Sequence, residues 1–108
     1  MKKRLFICLT LGLIMAAATG EASSPDEWEK HQKEVAATCA KASGLKNART
    51  IGEPVLFGDD IGVDAVMIRG RYPQPNMKNA TGHALCLFDR KTRQAQCSEA
   101  NQWFNPGR

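Results

Sequence analysis

The sequence predicts an α+β fold: an N-terminal amphipathic helix packed on an antiparallel β-meander of about four strands. Two observations carry this. Between Trp28 and Ala42 the apolar residues recur at helical spacing behind a clear N-cap. Beyond Gly44 the pattern changes to short extended runs separated by turn-forming residues.

The elements follow in order. Ser24 is the expected N-cap, Pro25 suits the first helical position, and Glu27 completes an S-x-x-E box. Asp26, Glu27 and Glu29 put negative charge at the positive end of the helix dipole. Trp28, Val35, Cys39 and Ala42, with Ala36 and Ala40 beside them, form one apolar stripe, and Ser43-Gly44 ends the helix. Short strands are expected at Ala48–Ile51 and Val55–Phe57, with a bend at Gly52 and Pro54; Pro54 lacks a backbone donor, which marks an edge. Gly58–Gly62 reads as a turn. Val63–Arg71 is a strand with Val66 and Ile68 on one face and Val63, Ala65 and Met67 on the other. Tyr72–Gly82 reads as a loop, His83–Asp89 as a strand, Arg90–Arg93 as a turn and Gln94–Ser98 as a peripheral strand. Asn105-Pro106-Gly107 stops any regular element at the end.

Residues 1–22 have the pattern of a secretory signal peptide. Lys2, Lys3 and Arg4 precede an apolar run from Leu5 to Ala18, and Gly20-Glu21-Ala22 offers small residues around a cleavage site. The run is shorter than the roughly 20 residues that span a bilayer, so no stable membrane insertion is expected after cleavage. The expected mature chain is one small domain, residues 23–108, exported to the periplasm or secreted. Cleavage removes three of 15 Lys and Arg but only one of 11 Asp and Glu, leaving a net charge of +2 rather than +4. With 6% aromatic residues and cations scattered along the chain, a nucleic-acid partner is not expected. Arg90-Lys91-Thr92-Arg93 is the one local basic cluster, read as a solvated hairpin tip.

So short a chain is marginal on its core alone, and an oxidising compartment lets a disulfide persist. Cys39, Cys86 and Cys97 remain after cleavage. Cys86 and Cys97 are equidistant from the Lys91-Thr92 turn, which would place them opposite one another in a hairpin. Cys39 lies on the apolar stripe of the helix. A Cys39–Cys86 bridge would close a much longer loop, stabilising by roughly 4 kcal/mol against roughly 3 for the short one. The expectation is therefore a Cys39–Cys86 staple between helix and sheet, with Cys97 left over.

No motif indicates a cofactor, a metal site or a family of known activity. There is no C-x-x-C or C-x-x-C-H, and no Ser stands in a G-x-S-x-G turn. His31, His83, Cys86 and Cys97 match no compact zinc spacing, and Asp59, Asp60 and Asp64 lack the alternation and closing Glu of a calcium loop. The expected role is non-enzymatic: binding, inhibition or accessory action toward a protein partner in the cell envelope. The long loop offers Tyr72, Met77, Lys78 and His83 as contacts, with Trp103 and Phe104 as an aromatic supplement. Two alternatives are a small hydrolase or redox enzyme using His83 with Asp59/Asp60 or Cys97, and a structural envelope protein.

Overall fold

A computed structural model describes residues 24–104, so the leader expected at 1–22 and the stop signal at 105–107 lie outside the described residues. Helix α1 (Pro25–Ser43) starts as its sequence indicates: the Glu27 N–H donates to Ser24 Oγ (3.1 Å) and the Trp28 N–H to the Ser24 carbonyl (3.1 Å). The chain divides into two units inside this helix, between Gln32 and Lys33. In the first, the Trp28 and His31 rings stack one turn apart, with centroids 5.6 Å apart. At the other end Gly44 takes φ +75°, where a Cβ would be strained, and its N–H donates to Lys41 O. The Leu45 N–H is satisfied by Ser43 Oγ (3.2 Å) instead of a helix carbonyl.

Four strands follow: β1 (Lys46–Leu56), β2 (Val63–Arg71), β3 (Thr81–Asp89) and β4 (Ala95–Glu99), paired antiparallel in sequential order. Where the sequence suggests two short strands before the first turn, the structure has one long edge strand. The expected bend is a register irregularity within β1, between Ile51 and Val55, and a second lies between Lys46 and Arg49. The β2–β3 connection carries one 3-10 turn, Pro75–Met77.

Strand alternation separates two faces. Val66 and Ile68 of β2 and Ala84, Cys86 and Phe88 of β3 pack with Val35 and Cys39 of the helix as the buried core. Of the stripe expected on α1, Val35 and Cys39 are buried, whereas Trp28 and Ala42 are exposed. Leu45 and Ala48 close one end of this layer. Gly70 makes that possible: a Cβ there would meet Lys46 O at 2.7 Å and Leu45 Cβ at 2.8 Å.

The disulfide joins Cys86 to Cys97, and Cys39 is a free, buried thiol. This corrects the Cys39–Cys86 expectation. Residues 86 and 97 are direct partners across β3 and β4, so the register alone sets their sulfurs against each other. Cys39 arrives from the helix above them with its carbonyl oxygen against the bridge, 3.6 Å from Cys86 Sγ and 3.5 Å from Cys97 Sγ. The covalent link therefore locks the β3–β4 hairpin, and the helix is held on the sheet by packing.

Candidate anion-binding face

The face of the sheet turned away from Val35 and Cys39 can be read row by row, because directly paired residues share a side. At one end stand Lys46, Arg71 and Thr81, then Arg49, Arg69 and His83. The next rows are Ile51, Met67, Leu85 and Ser98, followed by Val55, Ala65, Leu87 and Gln96; Val63 and Asp89 finish the face. An antiparallel sheet with one solvated side ordinarily alternates polar residues outward. Here the two middle rows are apolar on three of four strands, with Val55 58% and Leu87 43% exposed.

The two basic rows contain four cations and no carboxylate. Arg49 faces Arg69 directly, and Lys46 faces Arg71, an arrangement that costs stability because like charges stand opposite one another. Arg71 is partly held, donating from Nη1 to Thr81 Oγ1 (2.8 Å) and to the Asn79 carbonyl (3.3 Å). Arg49 and Arg69 have no hydrogen-bond or ion-pair partner among the described residues. Together with Asn47, Thr81 and His83 the three arginines line a concavity of about 420 Å³. Guanidinium forks lining one hollow are suited to carboxylate or phosphate oxygens.

The basic turn that stands out in the sequence is used differently. Arg93 pairs with Glu34 of α1 through Nη2 and through Nε (3.2 Å to Oε2), and its guanidinium lies 5.0 Å from the Phe88 ring centroid. Arg90 reaches Asp64 and Asp59. These pairings raise the affinity of both guanidinium groups for their protons, chiefly through the Asp64 and Glu34 hydrogen bonds.

Three of the expected contact residues, Tyr72, His83 and Phe104, gather around Asn101, whose Oδ1 accepts from the His83 N–H (2.8 Å) and whose carbonyl accepts from the Phe104 N–H (2.9 Å). Tyr72 and His83 line a hollow of about 200 Å³. Tyr72 is half-buried; its hydroxyl donates to Glu99 and accepts from Asn101 Nδ2 (2.7 Å). The Glu99 hydrogen bond, ahead of burial, pushes the Tyr72 phenol above its ordinary range. Met77 and Lys78 are exposed on and just after the 3-10 turn. His83 belongs to the arginine row, with its ring stacked 3.8 Å from that of Phe104 and its Nδ1 enclosed without a hydrogen-bond partner among the described residues. Trp103 is 62% exposed. Asp59 and Asp60 lie beyond the Val63 end of the sheet, six residues along β2 from the row of His83, a separation of about 20 Å. Cys97 has no free thiol. Neither His83–Asp59/Asp60 nor His83–Cys97 is therefore assembled as an acid–base or thiol site.

Burial, ahead of the nearby Asp64 charge, pushes the Cys39 thiol from 9.0 up to about 11. Its thiolate fraction near neutral pH is lowered about a hundredfold. Alkylation of Cys39 by iodoacetamide in the native, disulfide-intact protein is thus expected to be about a hundredfold slower than in the denatured chain, as followed by mass spectrometry at pH 8. A thiol whose native pKa is raised stabilises the fold below the unfolded value. The same group therefore predicts a loss of stability as pH climbs from about 9 to about 11.

No protein family matches the chain, and neither curated proteins nor solved structures give a significant match. The basic rows are what the sequence reasoning passed over. The signal available was the alternation of β2 itself: Val63, Ala65 and Met67 continue on the same face to Arg69 and Arg71.

Proposed function

We propose that this is an exported binding protein that meets an anionic partner of the cell envelope through the open face of its sheet. The observation that carries this reading is the facing pair Arg49–Arg69 beside Arg71, kept without a carboxylate although the pairing disfavours folding. An anion placed between the guanidinium groups removes that repulsion and gains charge-assisted hydrogen bonds. The leader pattern at 1–22 and the Cys86–Cys97 bridge support export.

The test is a titration of the 15N-labelled protein with inorganic pyrophosphate, at low and at moderate salt. The largest shifts are expected at Arg49, Arg69, Arg71 and His83. Arg49→Ala/Arg69→Ala is expected to weaken binding at least about tenfold. In the absence of anion, Arg49→Thr alone is expected to raise the melting temperature by about a degree, since it relieves the like-charge pair. Shifts centred on Lys91 and the β3–β4 turn, or a destabilised Arg49→Thr, would overturn the assignment.

A further inference from the structure

The basic concavity shares its face with a second hollow. The second, about 510 Å³, lies at the opposite end of the strands, where Val63, Leu87 and Gln96 contribute to it together with Asp89, Thr92 and Ala95. Ile51, Met67 and Leu85 occupy the row next to the arginines, between the two hollows. From Arg69 to Val63 the path along β2 covers six residues, or about 20 Å. The unpaired arginines thus stand at one end, apolar surface occupies the middle, and at the far end Asp89 has its carboxylate engaged by the Lys91 and Thr92 N–H groups. A ligand that is anionic throughout would meet no cation on the apolar rows. A wholly apolar ligand would leave the unpaired arginines desolvated. The polarity matches a molecule with an anionic head and one flexible apolar chain.

We propose that the open face binds a single-chain lipid with a phosphate head. The head lies between Arg49, Arg69 and Arg71, and the acyl chain runs over Met67, Leu85 and Leu87 toward the second hollow. This rests on the anion-binding reading above and adds to it the chemical class of the ligand. The direction of the chain is set by Arg49 and Arg69, whose partnerless guanidinium groups hold the head at their end. Leu85 is half-buried and Leu87 is 43% exposed without a ligand, so a chain laid across them removes apolar surface from water. Each methylene covered tightens binding by about two- to fourfold.

Isothermal titration below the critical micelle concentration tests this with four probes: lauroyl and octanoyl lysophosphatidic acid, glycerol 3-phosphate, and lauroyl lysophosphatidylcholine. The lauroyl acid is expected to bind at least about tenfold more tightly than its octanoyl homologue and more tightly still than glycerol 3-phosphate. Leu87→Gln, a change at an exposed position, is expected to weaken the lauroyl acid severalfold and leave glycerol 3-phosphate unchanged; Arg69→Ala is expected to weaken both. If glycerol 3-phosphate binds as tightly as the lauroyl acid, the lipid inference fails and the anion reading stands. If no phosphate compound binds, both fail. Equal binding of the lauroyl choline and acid forms would reduce the interaction to adsorption of any amphiphile and overturn the inference. So would sedimentation showing that the free protein dimerises through Met67 and Leu87, which would assign the face to a second copy.

Discussion

Reduction of the Cys86–Cys97 bridge is expected to lower the melting temperature by about 15 °C. The two residues are 11 apart in sequence, and releasing a loop of that size returns conformational freedom to the unfolded chain worth about 3 kcal/mol. For a domain this small each kcal/mol moves the midpoint by about 4–8 °C. The native hairpin loses little in the process. Cys86 and Cys97 remain paired by the β3–β4 register, and the turn is held by Asp89, whose carboxylate accepts from the N–H groups of Lys91 (2.8 Å) and Thr92 (3.0 Å). Those hydrogen bonds hold the Asp89 carboxyl below its usual range, so the turn is intact at neutral pH. The effect should therefore appear in the unfolding midpoint and not in the native amide NMR shifts of residues away from the bridge. The measurement is calorimetry with and without a phosphine reductant, beside a Cys86→Ala/Cys97→Ala variant. Coincident midpoints for oxidised and reduced protein would show that the hairpin persists in the unfolded chain and that the bridge constrains nothing.

The features legible in the sequence are those set by neighbouring residues. Ser24 and Gly44 bound the helix through local hydrogen bonding and backbone conformation, and the Val63–Arg71 strand is fixed by its own alternation. The disulfide shows what local signals leave open. Loop entropy ranks how much a bridge stabilises once formed, and on that ground alone the long loop from Cys39 is favoured. Which sulfurs meet is decided by strand register, and the symmetry of residues 86 and 97 about the 91–92 turn was the better guide. The arginine rows depend on register still more strongly. Arg69 and Arg71 follow from alternation along β2, and Arg49 stands opposite Arg69 through the continuous Arg49–Ile51 register, but Lys46 joins this face only through the irregularity after it, where Asn47 takes φ +52°. A slip of one residue would put Arg49 on the helix side. Asn47 takes positive φ more readily than most residues but does not by itself fix the register, whereas the contiguous cations of the 90–93 turn attract notice and are engaged within the fold.

That engagement underlies a prediction about Arg90. Asp64 is 1% exposed, on the helix side of β2, the most deeply buried charged residue described. Arg90 reaches it from the end of β3, donating from Nη1 to Asp64 Oδ1 (2.5 Å) and to the Val63 carbonyl (2.9 Å). Nη2 of the same guanidinium donates to the Phe57 carbonyl (2.6 Å) and to Asp59 Oδ1 (3.3 Å), while the Arg90 N–H donates to Gly62 O (2.9 Å). One side chain thus ties both ends of the β1–β2 turn to β3. The partners are unequal, however. The Arg90 side chain keeps 24% exposure and can rehydrate when Asp64 is removed, whereas Asp64 has no comparable access to water. Arg90→Leu, which leaves a buried carboxylate without its guanidinium, is accordingly expected to lower the melting temperature by about 15 °C or more. Asp64→Asn should cost less than half of that. The double variant Arg90→Leu/Asp64→Leu is expected to melt above Arg90→Leu alone, because removing both charges also removes the desolvation penalty. Calorimetry on the three variants checks the order. A double variant less stable than Arg90→Leu would mean that Asp64 is held by its other contacts and that Arg90 acts through the backbone carbonyls of the turn.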